Sequence, residues 1–128
     1  MNQQNDDAPS YALRILPHAE RDIEAHLVHI TERAGAEAGR LWYDGLRDAI
    51  ALLSQNPRRH SIISENQRFR REVRQFLYRR TPHGAAWRVL FTVQEESEDA
   101  PTVSILHVRH AAQKPITRTE AQQIEFNR

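Results

Sequence analysis

The chain of 128 residues contains no cysteine. Disulfides and thiolate metal ligands are therefore excluded, and the fold is indifferent to redox compartment. No apolar run approaches the roughly 20 residues of a membrane-spanning helix. The opening MNQQNDDAPS is polar and acidic, unlike a secretory signal, so a cytoplasmic protein is expected. Lysine is nearly missing too: Lys114 is the only one, and arginine carries the positive charge. No internal repeat or low-complexity tract breaks the chain. What is present suits one globular domain, because 39% apolar residues with two tryptophans can fill a modest core.

The net charge of +1 conceals a polarity along the chain. Residues 1–57 hold five Arg against nine Asp/Glu, which is −4. Residues 58–88 hold nine Arg against Glu65 and Glu72, which is +7, and residues 89–128 hold four basic groups against six acidic, which is −2. Clustered charge governs phosphate binding more than the total does. Arginine adds a forked donor geometry matched to phosphate. The middle third is thus expected to meet nucleic acid or a ribosome; the plain alternative is a solvated arginine face paired with acidic helices.

Hydrophobic spacing orders the elements. Residues 1–9 form an expected flexible tail, and 10–128 a single domain. Tyr11 to Leu16 alternates like a short strand. Pro17 suits the first turn of a helix running to about Arg33, with Ile23, Leu27, Ile30 and Ala34 on one face. After the break at Ala34-Gly35-Ala36, a second helix is expected from Glu37 to about Gln55, burying Trp42, Leu46, Ala49, Ile50 and Leu53. Asn56-Pro57 ends it. Residues 58–69 are irregular. Two strands then flank a turn at Pro82-His83-Gly84: one centred on Phe76, Leu77 and Tyr78, the other with Trp87, Val89, Phe91 and Val93 as its apolar face. The acidic connection 95–101 leads to a third strand, Thr102–His110. Thr117 and Glu120 fit a capping box that opens a short helix with Ala121 and Ile124 inward. The class is α+β: an N-terminal strand and an antiparallel helical hairpin packed on one face of a small antiparallel sheet, then a short C-terminal helix.

This order resembles the RelE/ParE superfamily of bacterial type II toxins over residues 11–111. The resemblance is carried by Ala19, Asp22 and Ile23 in PHAERDI, by Leu46, Ile50 and Leu53 in GLRDAIALL, by Pro57, and by WRVLFTV (87–93) and ILHVRHA (105–111). It implies a growth-inhibiting toxin neutralised by a cognate antitoxin. RelE-like members cut mRNA in the ribosomal A site and ParE-like members block DNA gyrase. Ribosome-dependent mRNA cleavage is the first expectation, gyrase inhibition without catalysis the second, and a decayed partner-binding module the third.

The nuclease branch implies Arg88 and His110 as catalytic residues, with Glu65 from the loop after the helices as a base. Nuclease members also commonly carry a tyrosine near the C-terminus, and this chain has none after Tyr78. Such cleavage needs no metal and no cofactor. The 2′-hydroxyl attacks the scissile phosphate while the protein moves protons and stabilises the phosphorane. As an imidazole, His110 would exchange the protons, and Arg88 with Arg74, Arg79, Arg80 and Arg109 would hold phosphate oxygens. Arg88 and His110 are expected to meet on neighbouring strands. Each has a structural alternative: Arg88 pairing with Glu72 or Glu95, His110 capping a strand, Glu65 on the surface. His107 is assigned to packing. His26 and His29 lack the i, i+4 spacing of a helical metal pair, so no metal is assigned. Trp42 and Trp87 are core anchors, while Phe69, Phe76 and Tyr78 are candidates for base stacking.

Overall fold

A computed structural model describes residues 10–95 and 100–126; the expected tail, 1–9, and most of the acidic connection lie outside the described residues. The elements are β1 (Ala12–Ile15), α1 (Pro17–Ala34), α2 (Ala36–Ala51), β2 (Arg74–Arg79), β3 (Ala86–Gln94), β4 (Thr102–His110) and α3 (Arg118–Phe126). This is the α+β order the sequence leads one to expect. Among the described residues no helix is long and apolar enough to cross a membrane.

Pro17 opens α1, where its missing N–H costs nothing. Gly35 closes it at φ 97°, a backbone conformation that suits glycine, and donates its N–H to Thr31 O at 2.9 Å. Helix α2 stops at Ala51 and tightens into a 3-10 turn over Leu52–Ser54, short of the expected Gln55. Asn56 follows in the left-handed region at φ 47° before Pro57, so the chain must leave the helix there. The tighter turn leaves Leu53 buried and Leu52 exposed.

The sheet order is β1-β4-β3-β2. The β2–β3 and β3–β4 pairs are antiparallel, as hairpin connections require. β1 reaches the sheet before the helical hairpin and pairs parallel with β4, which makes the sheet mixed. Helices α1 and α2 cover one face. Ala19, Ile23, Trp42, Leu46 and Ile50 pack there against Trp87, Val89, Phe91, Val103, Ile105 and Val108. Tyr78 belongs to this core, and its hydroxyl donates to Trp42 O at 3.0 Å. A Cβ at Gly45 would stand 2.3 Å from that hydroxyl, so only glycine lets the strand approach α2 this closely.

The opposite face, where alternation in β3 puts Arg88, Leu90, Thr92 and Gln94, is not open to solvent. A second core fills it: Leu90 and Leu106 from the sheet meet Ile63, Phe69 and Val73 from the loop before β2, and Ile116, Ala121 and Ile124 from the C-terminal segment. β3 and β4 are thus buried on both sides. Helix α3 is held over this face by the expected capping box. Glu120 N–H donates to Thr117 Oγ1 at 3.1 Å, and Thr117 N–H to Glu120 Oε1 at 3.0 Å. The base-stacking expectation is corrected accordingly. Phe69 and Tyr78 are buried, and Phe76 packs on Phe91 with ring centroids 6.4 Å apart.

Candidate functional site

The arginine-rich stretch before β2 folds back along the sheet edge. Ile62 bridges Arg74, Ile63 N–H donates to Val73 O at 3.0 Å, and Gln75 N–H to Ser61 O at 3.1 Å. This brings Glu65 over the second face of the sheet, beneath the segment that enters α3. Its carboxylate takes both ends of the Arg88 guanidinium, Nη2 at 2.8 Å and Nη1 at 2.9 Å. It also accepts Ile116 N–H at 3.0 Å and the Ser64 hydroxyl at 3.3 Å. Arg88 Nε donates to Gln75 Oε1 at 2.6 Å, so all three guanidinium nitrogens are committed. The side chains of Arg88 and Glu65 are 12% and 5% exposed.

Glu65 and Arg88, both expected at a site, are therefore together, and their partner is each other. His110 is not with them. Arg88 lies opposite Arg109 in the β3–β4 register, whereas His110 lies opposite Trp87. Successive strand residues point to opposite faces. His110 accordingly packs edge-on against Trp87 on the helix side, ring centroids 4.9 Å apart, while Arg88 sits with the second core. The expectation that Arg88 and His110 meet is corrected by this register. His110 Nδ1 accepts Ala112 N–H at 3.0 Å and its own N–H donates to Gln113 Oε1 at 3.1 Å, the contacts of a strand-end cap.

The four arginines expected to hold phosphate divide. Arg74 donates to His60 O at 2.6 Å, to Arg58 O at 3.1 Å and to Glu72 at 3.0 Å. Arg109, 4% exposed, donates to Lys114 O at 3.0 Å and to Glu120 at 3.4 Å. Both close loops onto the sheet. Arg79 and Arg80 are exposed beside the β2–β3 turn, with Arg79 donating to Gly84 O at 2.7 Å.

Other arginines form a surface that sequence spacing did not single out. Arg68, Arg70, Arg71 and Arg118 line an open groove of about 1020 Å³ between the pre-β2 turn and α3, together with Phe69 and Phe126. Glu125 fixes its floor by accepting the backbone N–H groups of Arg70 at 3.0 Å and Arg71 at 3.3 Å. Among the described residues, nothing pairs with the side chains of Arg70, Arg71, Arg80 or Arg118. Arg70 and Arg71 were visible in the basic stretch. That Arg118 joins them depends on α3 folding back, which no local pattern encodes.

The Glu65–Arg88 pair has a measurable signature. Hydrogen bonds from Arg88 bring the Glu65 carboxyl from an ordinary 4.5 down to about 2; burial opposes this and the Ile116 N–H assists. A carboxyl with a depressed folded-state pKa adds stability above its unfolded value and loses it as pH falls through the folded value. Stability is expected to drop between pH 4.5 and about 2, by on the order of 3 kcal/mol from this group. Thermal unfolding across that range checks it. Glu65→Gln should flatten this segment of the profile, and identical profiles for the two proteins would contradict the assignment.

Comparison with known proteins agrees with the architecture. No curated protein matches the chain. The family model described as the ParE toxin of the type II toxin-antitoxin system parDE matches residues 13–115, from β1 through the turn after β4. With most of its length so matched, on a fold of the expected order, the chain belongs to the ParE toxin family of type II toxin–antitoxin systems.

Proposed function

We propose that this toxin arrests growth by binding its target without cutting RNA, and that the target is DNA gyrase. The observation that carries this reading is the divergence of the residues a ribonuclease would need. Arg88 is closed by Glu65 and Gln75, and His110 caps a strand on the other face of the sheet. General acid–base chemistry on a phosphodiester needs the proton-transfer group and the cation within reach of one reacting centre.

As a type II toxin the chain has a cognate antitoxin for a partner. In our reading the antitoxin lays an acidic and apolar segment along the arginine groove, where Phe126 is 87% exposed beside Arg70, Arg71 and Arg118. Arg79 and Arg80, exposed beside the β2–β3 turn, offer the target a second positive patch.

Induction in cells, with supercoiling by purified gyrase measured in parallel, tests the mechanism. The expected result is inhibited supercoiling, induced DNA-damage signalling and unchanged mRNA ends, with His110→Ala still toxic. New mRNA ends aligned to the ribosomal A site, with gyrase unaffected, would restore the cleavage mechanism and overturn this one.

A further inference from the structure

We propose that His18, Asp22 and His107 form a binding site for one divalent transition-metal ion, zinc being the best fitted, which clips α1 to β4. His18 and Asp22 stand four residues apart at the start of α1, on one face of the helix. His107 is brought to them by an irregularity in β4. The register passes from Leu90↔His107 to Phe91↔Ile105, so Leu106 is an extra residue. Leu106 enters the second core while His107 turns toward α1. Bulges re-aim side chains in this manner.

Three ligand atoms converge. His18 Nε2 is 3.0 Å from His107 Nδ1 and 3.5 Å from Asp22 Oδ2, and His107 Nδ1 is 2.7 Å from Asp22 Oδ2. Protons alone serve this arrangement badly. Each imidazole nitrogen carries at most one hydrogen. If His107 Nδ1–H donates to Asp22, no second proton on that nitrogen faces His18. If His18 donates to His107 instead, a bare nitrogen faces a carboxylate oxygen. Two nitrogens with at most one hydrogen each cannot satisfy all three contacts with linear hydrogen bonds.

A metal ion satisfies them. Bonds of roughly 2.0–2.2 Å in a tetrahedral site put ligand atoms about 3.3–3.6 Å apart; the observed edges of 2.7, 3.0 and 3.5 Å are tighter, and metal binding would open the two shorter ones by a few tenths of an ångström. Imidazole nitrogen with one carboxylate oxygen suits zinc, cobalt or nickel rather than calcium or magnesium. The side chains keep 12–19% exposure, which leaves a fourth position open to water. Asp22 Oδ2 also accepts Val108 N–H at 3.0 Å, an outer contact that fixes its orientation. With the metal on Nδ1, the His107 proton resides on Nε2. Arg109, 3.5 Å from that nitrogen, then relies on Glu120 and Lys114 O. The proposal is independent of the gyrase reading, since it concerns the α1–β4 junction alone.

The test is calorimetric titration of the full-length, chelator-stripped protein with zinc chloride, with a thermal melt at each ratio. One equivalent should bind and raise the melting temperature. His18→Gln and His107→Gln should each weaken binding at least tenfold, and His29→Gln, on an exposed position of α1, should not. Absence of binding, or undiminished binding in both glutamine variants, would overturn the site. Should a variant fail to fold, cobalt decides on the unaltered chain. Intense visible bands of four-coordinate cobalt support the site, and the weak bands of hydrated cobalt reject it.

Discussion

Glu65→Ala is expected to destabilise the protein by about 3–5 kcal/mol. The substitution leaves the Arg88 guanidinium buried beside Leu90 with Gln75 as its remaining partner. It also strips the acceptor from Ile116 N–H, where the chain turns into α3. Total stabilities of small domains are about 5–15 kcal/mol, so this one carboxylate accounts for a large share. Arg88→Ala should cost a similar amount by stranding the carboxylate. Replacing both residues with apolar side chains of similar volume should recover much of the loss, because a buried pair repays little more than its desolvation. Urea unfolding at neutral pH checks each. An Arg88→Ala protein that unfolds at the same urea concentration as the parent, yet is no longer toxic, would show the guanidinium acting on a target.

Truncation after Lys114 is expected to abolish cooperative folding. Ile116, Ala121 and Ile124 are at most 2% exposed in the intact chain, and they cover Leu90 and Leu106. Losing two buried isoleucines removes about 1.5–3 kcal/mol each. Exposing the leucines they cover and withdrawing Ile116 N–H from Glu65 add to that. The sum reaches the whole stability of a typical domain. The truncated chain should lose its near-ultraviolet circular dichroism and bind a hydrophobic dye. A sharp native-like melt without α3 would mean that the second core is dispensable and that the sheet's far face tolerates water. The smaller change Ile116→Ala should cost 2–5 kcal/mol on the same reasoning.

Local pattern made the elements legible. Pro17, Gly35 and Asn56-Pro57 punctuate the helices as expected, and the Thr117–Glu120 capping box is formed atom for atom. The helix-side core also followed from spacing, because Trp42, Leu46 and Ile50 recur on one helical face and Trp87, Val89 and Phe91 on one strand face. The far side was harder to read. Leu90 and Leu106 were the available signals, apolar side chains in register positions otherwise taken as polar, but each is a single residue. Their cover comes from Phe69, Val73, Ile116 and Ile124, scattered through stretches that look irregular or short.

Function proved less legible for a related reason. Whether an arginine in a strand faces solvent or a buried carboxylate depends on which distant loop closes over it, and Glu65 is 23 residues from Arg88. Alternation does fix the faces of β3, but the β4 irregularity at Leu106 shifts the phase between the two ends of that strand. That shift also hid the convergence of His107 with His18, 89 residues earlier. The His18–Asp22 spacing was in plain view. Its third member was not.

The most direct measurement of the central claim, that Arg88 serves the fold through Glu65, is a double-mutant cycle on those two residues read by urea unfolding. A coupling above about 1.5 kcal/mol is the predicted result, within the range for close charged pairs. Additive single effects, with coupling near zero, would contradict it and leave Arg88 available for phosphate.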